Sequence, residues 1–171
     1  MKTMKCFIAF SAAASLALAQ NPLSGGQKAF YGMVSANVVA AAEKMPEASY
    51  SFKPTPEVRS FGELVGHAAD SQGFFCATAV GEKPPISGAE KTKTTKADLV
   101  QAVKDAVSYC DKVYTGMTDE HAKELVKMMG MEMAKLTVLS VNTAHLDEHY
   151  GNMVTYMRIR GLVPPSSEPR K

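Results

Sequence analysis

"TKADLVQAVKDAVSYCDKVYTGM", residues 95–117, carries the cleanest periodicity in the chain. Leu99, Val103, Ala106, Cys110, Val113 and Met117 recur at alternating steps of four and three. That spacing lines apolar side chains along one stripe of an α-helix and leaves the charged residues on the other faces. A long, narrow stripe of this kind is the seam of a helical bundle.

Three further helical patterns flank it. Downstream, from about Met131 to Arg160, Leu136, Leu139, Thr143, Leu146, Tyr150, Met153 and Met157 share one side, and Gly161 ends the run. Upstream, "SFGE" at residues 60–63 has the form of a capping box, so a helix starts at Ser60. Its inner face carries Leu64, His67, Ala68, Ser71 and Phe75, and it fades by Gly81. The first helix spans about Ser24 to Met45, with Phe30, Val34, Asn37, Ala41 and Met45 as its stripe and Pro46 as its stop. Four helices of such length predict an all-α fold, a four-helix bundle. Between them, "PEASYSFKPTPEV" (46–58) reads as an extended linker with Tyr50 and Phe52 folded back on the bundle. "GEKPPISGAEKTKT" (81–94) reads as a polar loop. Both are long for simple hairpins, so at least one can run the length of the bundle. "AKELVKMMG" (122–130) fits a short helix or an irregular strand.

The chain has 171 residues, 46% of them hydrophobic and 21% charged, which suits one domain with one core. Its N-terminus has the form of a secretory signal peptide. "MKTMK" is basic, residues 6–19 are apolar, and Ala17 and Ala19 form a cleavage site before Gln20. The competing reading is an N-terminal anchor. Cleavage after Ala19 leaves a bundle domain over 20–163 and a mobile tail over 164–171. It also removes Lys2 and Lys5, bringing the basic side chains level with the 17 acidic ones. A net charge near zero argues against nucleic acid as a partner. Cys6 leaves too, and the remaining pair, Cys76 and Cys110, is one that an exported protein can oxidise.

Two of the four histidines lie four residues apart in the last helix, at His145 and His149. On an α-helix such residues differ by about 40° in direction and about 6 Å along the axis, so both imidazoles can reach one ion. His67, the other histidine on an inward face, supplies a third nitrogen. Three protein ligands with room for a guest is the pattern of a catalytic metal site. The bland alternative is hydrogen-bonded core histidines. His121, in "TDEHAKE", reads as a solvated surface residue.

The residues around these histidines resemble a known family. "AHLDEHYGNMVTYMRIRGLVPP" (144–165) is similar to the last helix and C-terminal signature of the DinB family, the DinB/YfiT-like metalloenzymes. "RSFGELVGHAADSQGFFC" (59–76) looks like that family's second helix, and "AAEKMPEASYSFKPTPEVRS" (41–60) like its linker. The resemblance implies an up-down-down-up four-helix bundle whose second and third helices are parallel. It implies a metal triad of His67, His145 and His149, holding zinc or nickel, with iron(II) and copper as further ions that three imidazoles suit. It also implies either metal-activated hydrolysis or thiol S-transfer on a small substrate, although an exported protein meets a different thiol pool from cytoplasmic relatives. Homodimers are common in the family, and a homodimer is expected here. The reading that competes with an enzyme is a non-catalytic metal- or ligand-binding bundle.

Parallel second and third helices bring Cys76 and Cys110 to one height, because they lie 16 and 15 residues beyond Ser60 and Thr95. A Cys76–Cys110 disulfide is therefore expected, against two buried free thiols. Asp70, three residues after His67, is the candidate for a base or a carboxylate partner of the triad. Asp147 and Glu148 fit solvated charges better. Asn37 is a candidate to hold substrate or water, or else a hydrogen-bonded core amide. Tyr150 and Tyr156 suit core packing. "KMMGMEM" (127–133) offers methionine sulfurs for a soft metal, but without repeats it fits packing better.

Overall fold

A computed structural model describes residues 21–169. The signal peptide expected over residues 1–19 lies outside the described residues. Four long helices form the bundle: α1 (Pro22–Lys44), α2 (Phe61–Val80), α4 (Lys96–Gly116) and α6 (Lys135–Ile159). Two single-turn helices, α3 (Ala89–Thr92) and α5 (Asp119–Ala122), lie in the connections, and strands β1 (Leu125–Met128) and β2 (Met131–Ala134) form an antiparallel hairpin. Among the described residues no helix is long and apolar enough to cross a membrane.

The direction of each helix follows from its cross-contacts. Leu99 packs on Gly62, and Cys110 is disulfide-bonded to Cys76, so α2 and α4 run parallel. The α-carbons of the two cysteines are 5.5 Å apart and both residues are fully buried. Tyr156 of α6 reaches Arg59 ahead of α2, while Asn142 lies beside Cys76 near the helix end, so α6 opposes α2. Tyr31 of α1 stacks on Tyr114 of α4 at 4.1 Å, and Lys96 donates to Glu43 and Met45 at the other end of α1, so α1 opposes α4. The arrangement is up-down-down-up.

The seam of α4 is as its periodicity predicts: Leu99, Val103, Ala106 and Cys110 are at most 2% exposed, and Val113 and Met117 are buried with them. The capping box at the start of α2 is complete, with Ser60 Oγ accepting from Glu63 N and Glu63 accepting from Ser60 N at 2.6 Å. Tyr50 folds back as expected and donates its hydroxyl to Ala42 O at 2.6 Å. Phe52 meets Tyr156 edge-on.

Three expectations differ. The first turns of α1 are rotated by about one residue, roughly 100°. Phe30 is 45% exposed, and Tyr31, Val34, Ser35 and Val38 face the core. Small and apolar residues surround this helix, so its pattern does not single out one face, and the Tyr31–Tyr114 stack decides it. The last helix begins at Lys135 instead of Met131. Residues 131–134 pair with 125–128 around a turn at Met129 and Gly130, both at positive φ (50° and 82°). The end of the chain, expected to be a mobile tail, is tied down through residue 168. Tyr150 Oη accepts from Ser166 N, Arg158 donates to Ser167, and Glu168 pairs with Lys44.

The crossover between the parallel helices positions the site. Roughly fifteen residues join α2 to α4, enough extended chain for ~50 Å, against the ~30 Å length of α2. The connection lies directly on α2. A Cβ on Gly73 would sit 2.6 Å from Ile86 O, and one on Gly66 would sit 2.6 Å from the Glu90 Cα. Only glycine leaves room for backbone at that separation.

Candidate metal centre

α2 and α6 carry the three histidines to one point. His145 Nε2 lies 3.1 Å from His149 Nε2 and 3.4 Å from His67 Nε2. A ligand atom from each ring falls within 4.8 Å of the other two. The i, i+4 pair on α6 converges because both rings turn toward α2. The ring of His67 stands edge-on to that of His149, 4.7 Å away between centroids.

These nitrogens fit a metal ion. Two ligands each about 2.05 Å from one tetrahedral ion lie about 3.3 Å apart, the spacing seen here. The charge state fits as well. Burial, followed by the neighbouring His145, His67 and Arg59 charges, holds the His149 ring down at about 4. Burial and the proximity of His67 also lower His145. Both rings on α6 are therefore neutral at neutral pH, with lone pairs to donate. Three imidazoles from two helices make an intermediate nitrogen donor set that suits zinc, nickel, iron(II) or copper.

Beside the triad lies a cavity of about 530 Å³, lined by Arg59, Leu64, Glu90, Glu148, His149 and Tyr156 among others. It gives a small molecule access to His149. Tyr156 is a tether here, donating its hydroxyl to Arg59 O at 2.7 Å.

Other residues singled out in the sequence fall elsewhere. Asp70, the candidate base, is turned to the backbone of the crossover. Its two oxygens accept the backbone N–H groups of Ala89 and Glu90 at 2.8 and 3.0 Å, at the start of α3. Asn37 is half-buried on α1 and is not among the residues lining the cavity. Asp147 and Glu148 are exposed, as expected for solvated charges, and His121 is exposed, as expected for a surface residue. Tyr150 is core. The methionines of 127–133 divide between core and solvent: Met128 is 5% exposed, Met129 and Met131 72% and 59%. That division suits packing.

The carboxylate that does reach the triad is Glu90, which the sequence reading left inside a polar loop. Its Oε2 lies 2.9 Å from His67 Nδ1, and its Oε1 accepts from Arg59 Nε at 2.8 Å. Burial pushes the Glu90 carboxyl up, but the hydrogen bonds from Arg59 and His67 outweigh it and hold the group below its usual value. The available signal was Gly66, a glycine next to a ligand histidine, which marks a close backbone approach.

Comparison with known proteins agrees with this arrangement. The family model of the DinB superfamily matches residues 33–153. The uncharacterized protein YjoA of Bacillus subtilis (strain 168) is 27% identical over 123 residues, covering 70% of this chain and 79% of YjoA. The crystal structure of that DinB-like protein aligns with a TM-score of 0.69 at 23% identity, over 85% of this chain and 99% of the other. A DinB-like protein from Bacillus cereus ATCC 10987 aligns with the same TM-score at 15% identity, over 77% and 89%. The mycothiol-dependent maleylpyruvate isomerase aligns with a TM-score of 0.62 at 12% identity, over 76% of this chain but 60% of its own. With the family model spanning most of the bundle, and its fold shared by these structures, the chain belongs to the DinB superfamily.

Proposed function

We infer that this protein is an exported metal-dependent enzyme in which His67, His145 and His149 hold one divalent cation, and that it acts on a small substrate. The observation that carries the reading is the convergence of three Nε2 atoms at 3.1 and 3.4 Å beside an accessible cavity. A cation held there supplies Lewis acidity to a water, a thiol or a carbonyl oxygen. The chain's own part is to present neutral nitrogens and to admit substrate past Arg59 and Tyr156. Leu64 and the buried His149 form part of the cavity wall. Metal-activated hydrolysis and thiol S-transfer both use these features. The thiol chemistry draws support from the isomerase of the same fold. The Cys76–Cys110 disulfide supports an oxidising compartment, and with it export after cleavage at Ala19.

One observation favours a second reading, a non-catalytic metal- or ligand-binding bundle. Asp70, the base expected next to His67, has both oxygens engaged by backbone N–H groups. Metal analysis of the purified protein tests the site first. One ion per chain in the wild type, lost in His145→Ala, is the expected result, and retention of the ion in that variant refutes the assignment. Screening the zinc- and nickel-loaded protein against thiol-transfer, ester and amide substrates then separates the two readings. Turnover that vanishes in His145→Ala supports the enzyme, and metal uptake without turnover supports the binding bundle.

A further inference from the structure

We propose that Glu90 is a positioning carboxylate that sets the tautomer and aim of His67, and that Asp70 acts through Glu90 by gripping the backbone at the start of α3. The proposal deepens the reading of the triad as a metal centre and rests on it for its effect on affinity.

The chemistry of the contact decides the tautomer. A carboxylate only accepts hydrogen bonds, so the proton of a neutral His67 ring sits on Nδ1, 2.9 Å from Glu90 Oε2. The lone pair then lies on Nε2, the atom 3.4 Å from His145 Nε2 and 3.3 Å from Ser71 Oγ. A ring with the opposite tautomer would aim an N–H at the point where the other histidines converge. Ring orientation and tautomer are thus set by one oxygen atom, the arrangement that orients metal-ligating histidines in general.

Glu90 is itself held from several sides. Arg59 Nε donates to Oε1, so the carboxylate plane is fixed between a guanidinium and an imidazole. Asp70 accepts the N–H groups of both Ala89 and Glu90. Gly66 lets the Glu90 backbone rest on α2. Gly66, His67 and Asp70 lie within five residues of one helix, so the element that presents the ligand also holds its partner. His149 lacks such support, its Nδ1 being buried with no hydrogen-bond partner among the described residues. An ordinary surface ion pair between Arg59 and Glu90 would need none of this. Glu90 is only 26% exposed at its side chain and His67 21%.

The test uses the full mature chain, with disulfide intact, and two readouts. Long-range proton–nitrogen NMR on the metal-free protein reports the tautomer of His67. Competition with a chelating dye reports zinc affinity. The wild type is expected to carry the His67 proton on Nδ1. Glu90→Ala should lose that preference and weaken zinc binding about 10- to 100-fold. Glu90→Gln has one acceptor for two donors: its oxygen faces Arg59, which can only donate, and its amide N–H faces Nδ1, so the His67 proton should move to Nε2 and zinc affinity should fall. Asp70→Ala should fall between the wild type and Glu90→Ala, with Glu90 still present but free to drift. Circular dichroism checks that each variant stays folded, and Glu90→Gln carries the comparison if Glu90→Ala does not. A wild-type His67 protonated on Nε2, or a folded Glu90→Ala or Glu90→Gln with unchanged tautomer and affinity, overturns the proposal. A wild type that takes up no zinc sinks the metal reading of the triad instead, while the NMR result still decides what Glu90 does.

Discussion

Gly66 and Glu90 meet at their backbones: a side chain at 66 would place its Cβ 2.6 Å from the Glu90 Cα and 2.7 Å from its nitrogen. No flexible group is available there to move aside. Gly66→Ala should therefore push α3 off α2, at a cost of about 1–3 kcal/mol for overpacking. Denaturant unfolding of the two proteins measures the loss. Zinc affinity should fall with it, since the contact from Glu90 to His67 depends on that approach. An alanine variant with wild-type stability and affinity would show that the two segments are not in contact in solution.

The disulfide ties the two parallel helices across a sequence separation of 34 residues. In the chain-entropy model a loop of that size stabilises the folded state by about 3–4 kcal/mol. Replacing both Cys76 and Cys110 by alanine should lower stability by about that amount, with cavity loss added because both positions are 0% exposed. Intact-mass measurement with and without reductant provides the direct check. Two thiols alkylated without reduction would contradict the bond.

Glu63 gives the acid limb of the stability curve a definite sign. The Ser60 backbone N–H, Lys53 and the Ser60 hydroxyl hold its carboxyl down at about 2, from an ordinary value of 4.5. A depressed carboxyl contributes stability that is fully present above 4.5 and is lost as the pH falls toward 2. The side chain is 43% exposed, so solvent screens the effect. Glu63→Gln should flatten the dependence of the melting temperature on pH within that window and leave higher pH little changed in slope. Ser60→Ala removes the other half of the box and should cost about 1 kcal/mol at neutral pH.

Tyr114 closes a buried polar network between α4 and α6. Its hydroxyl lies 2.7 Å from Leu139 O, 2.9 Å from Thr143 Oγ1 and 3.1 Å from Asn142 Nδ2. Tyr114→Phe keeps the stack on Tyr31 but leaves the buried Asn142 Nδ2 with only the two cysteine sulfurs, while Thr143 keeps Gln27 and Leu139 O. Unfolding should show a loss of about 1–3 kcal/mol, the cost of unsatisfied buried groups. The stacked ring itself should contribute little to the difference.

The helices and the histidine pair of α6 were legible in the sequence because both rest on local spacing. The steps of four and three in 99–117 place a stripe on α4, and the i, i+4 spacing of His145 and His149 fixes their common face whatever surrounds them. Ser60 and Glu63 identify the start of α2 in the same way. Where the local pattern is ambiguous, reading stopped. The first turns of α1 are apolar or small on several sides, and the face that Tyr31 buries is chosen by Tyr114, far away in the chain. Residues 131–134 carry a helical composition, yet strand pairing with 125–128 offers their backbone a partner that no single-segment pattern reveals.

The sequence alone determined the four helices and the common face of His145 and His149, since each follows from the period of an α-helix, while the level pairing of Cys76 with Cys110 and the intact triad with His67 were what the family resemblance implied. Tertiary structure alone decided that Glu90 meets His67 and that Asp70 holds a backbone instead of facing a substrate. Those contacts are made by a crossover lying on α2, and an irregular segment has no period from which its neighbours can be read. Its path is set by where two glycines let backbone touch backbone.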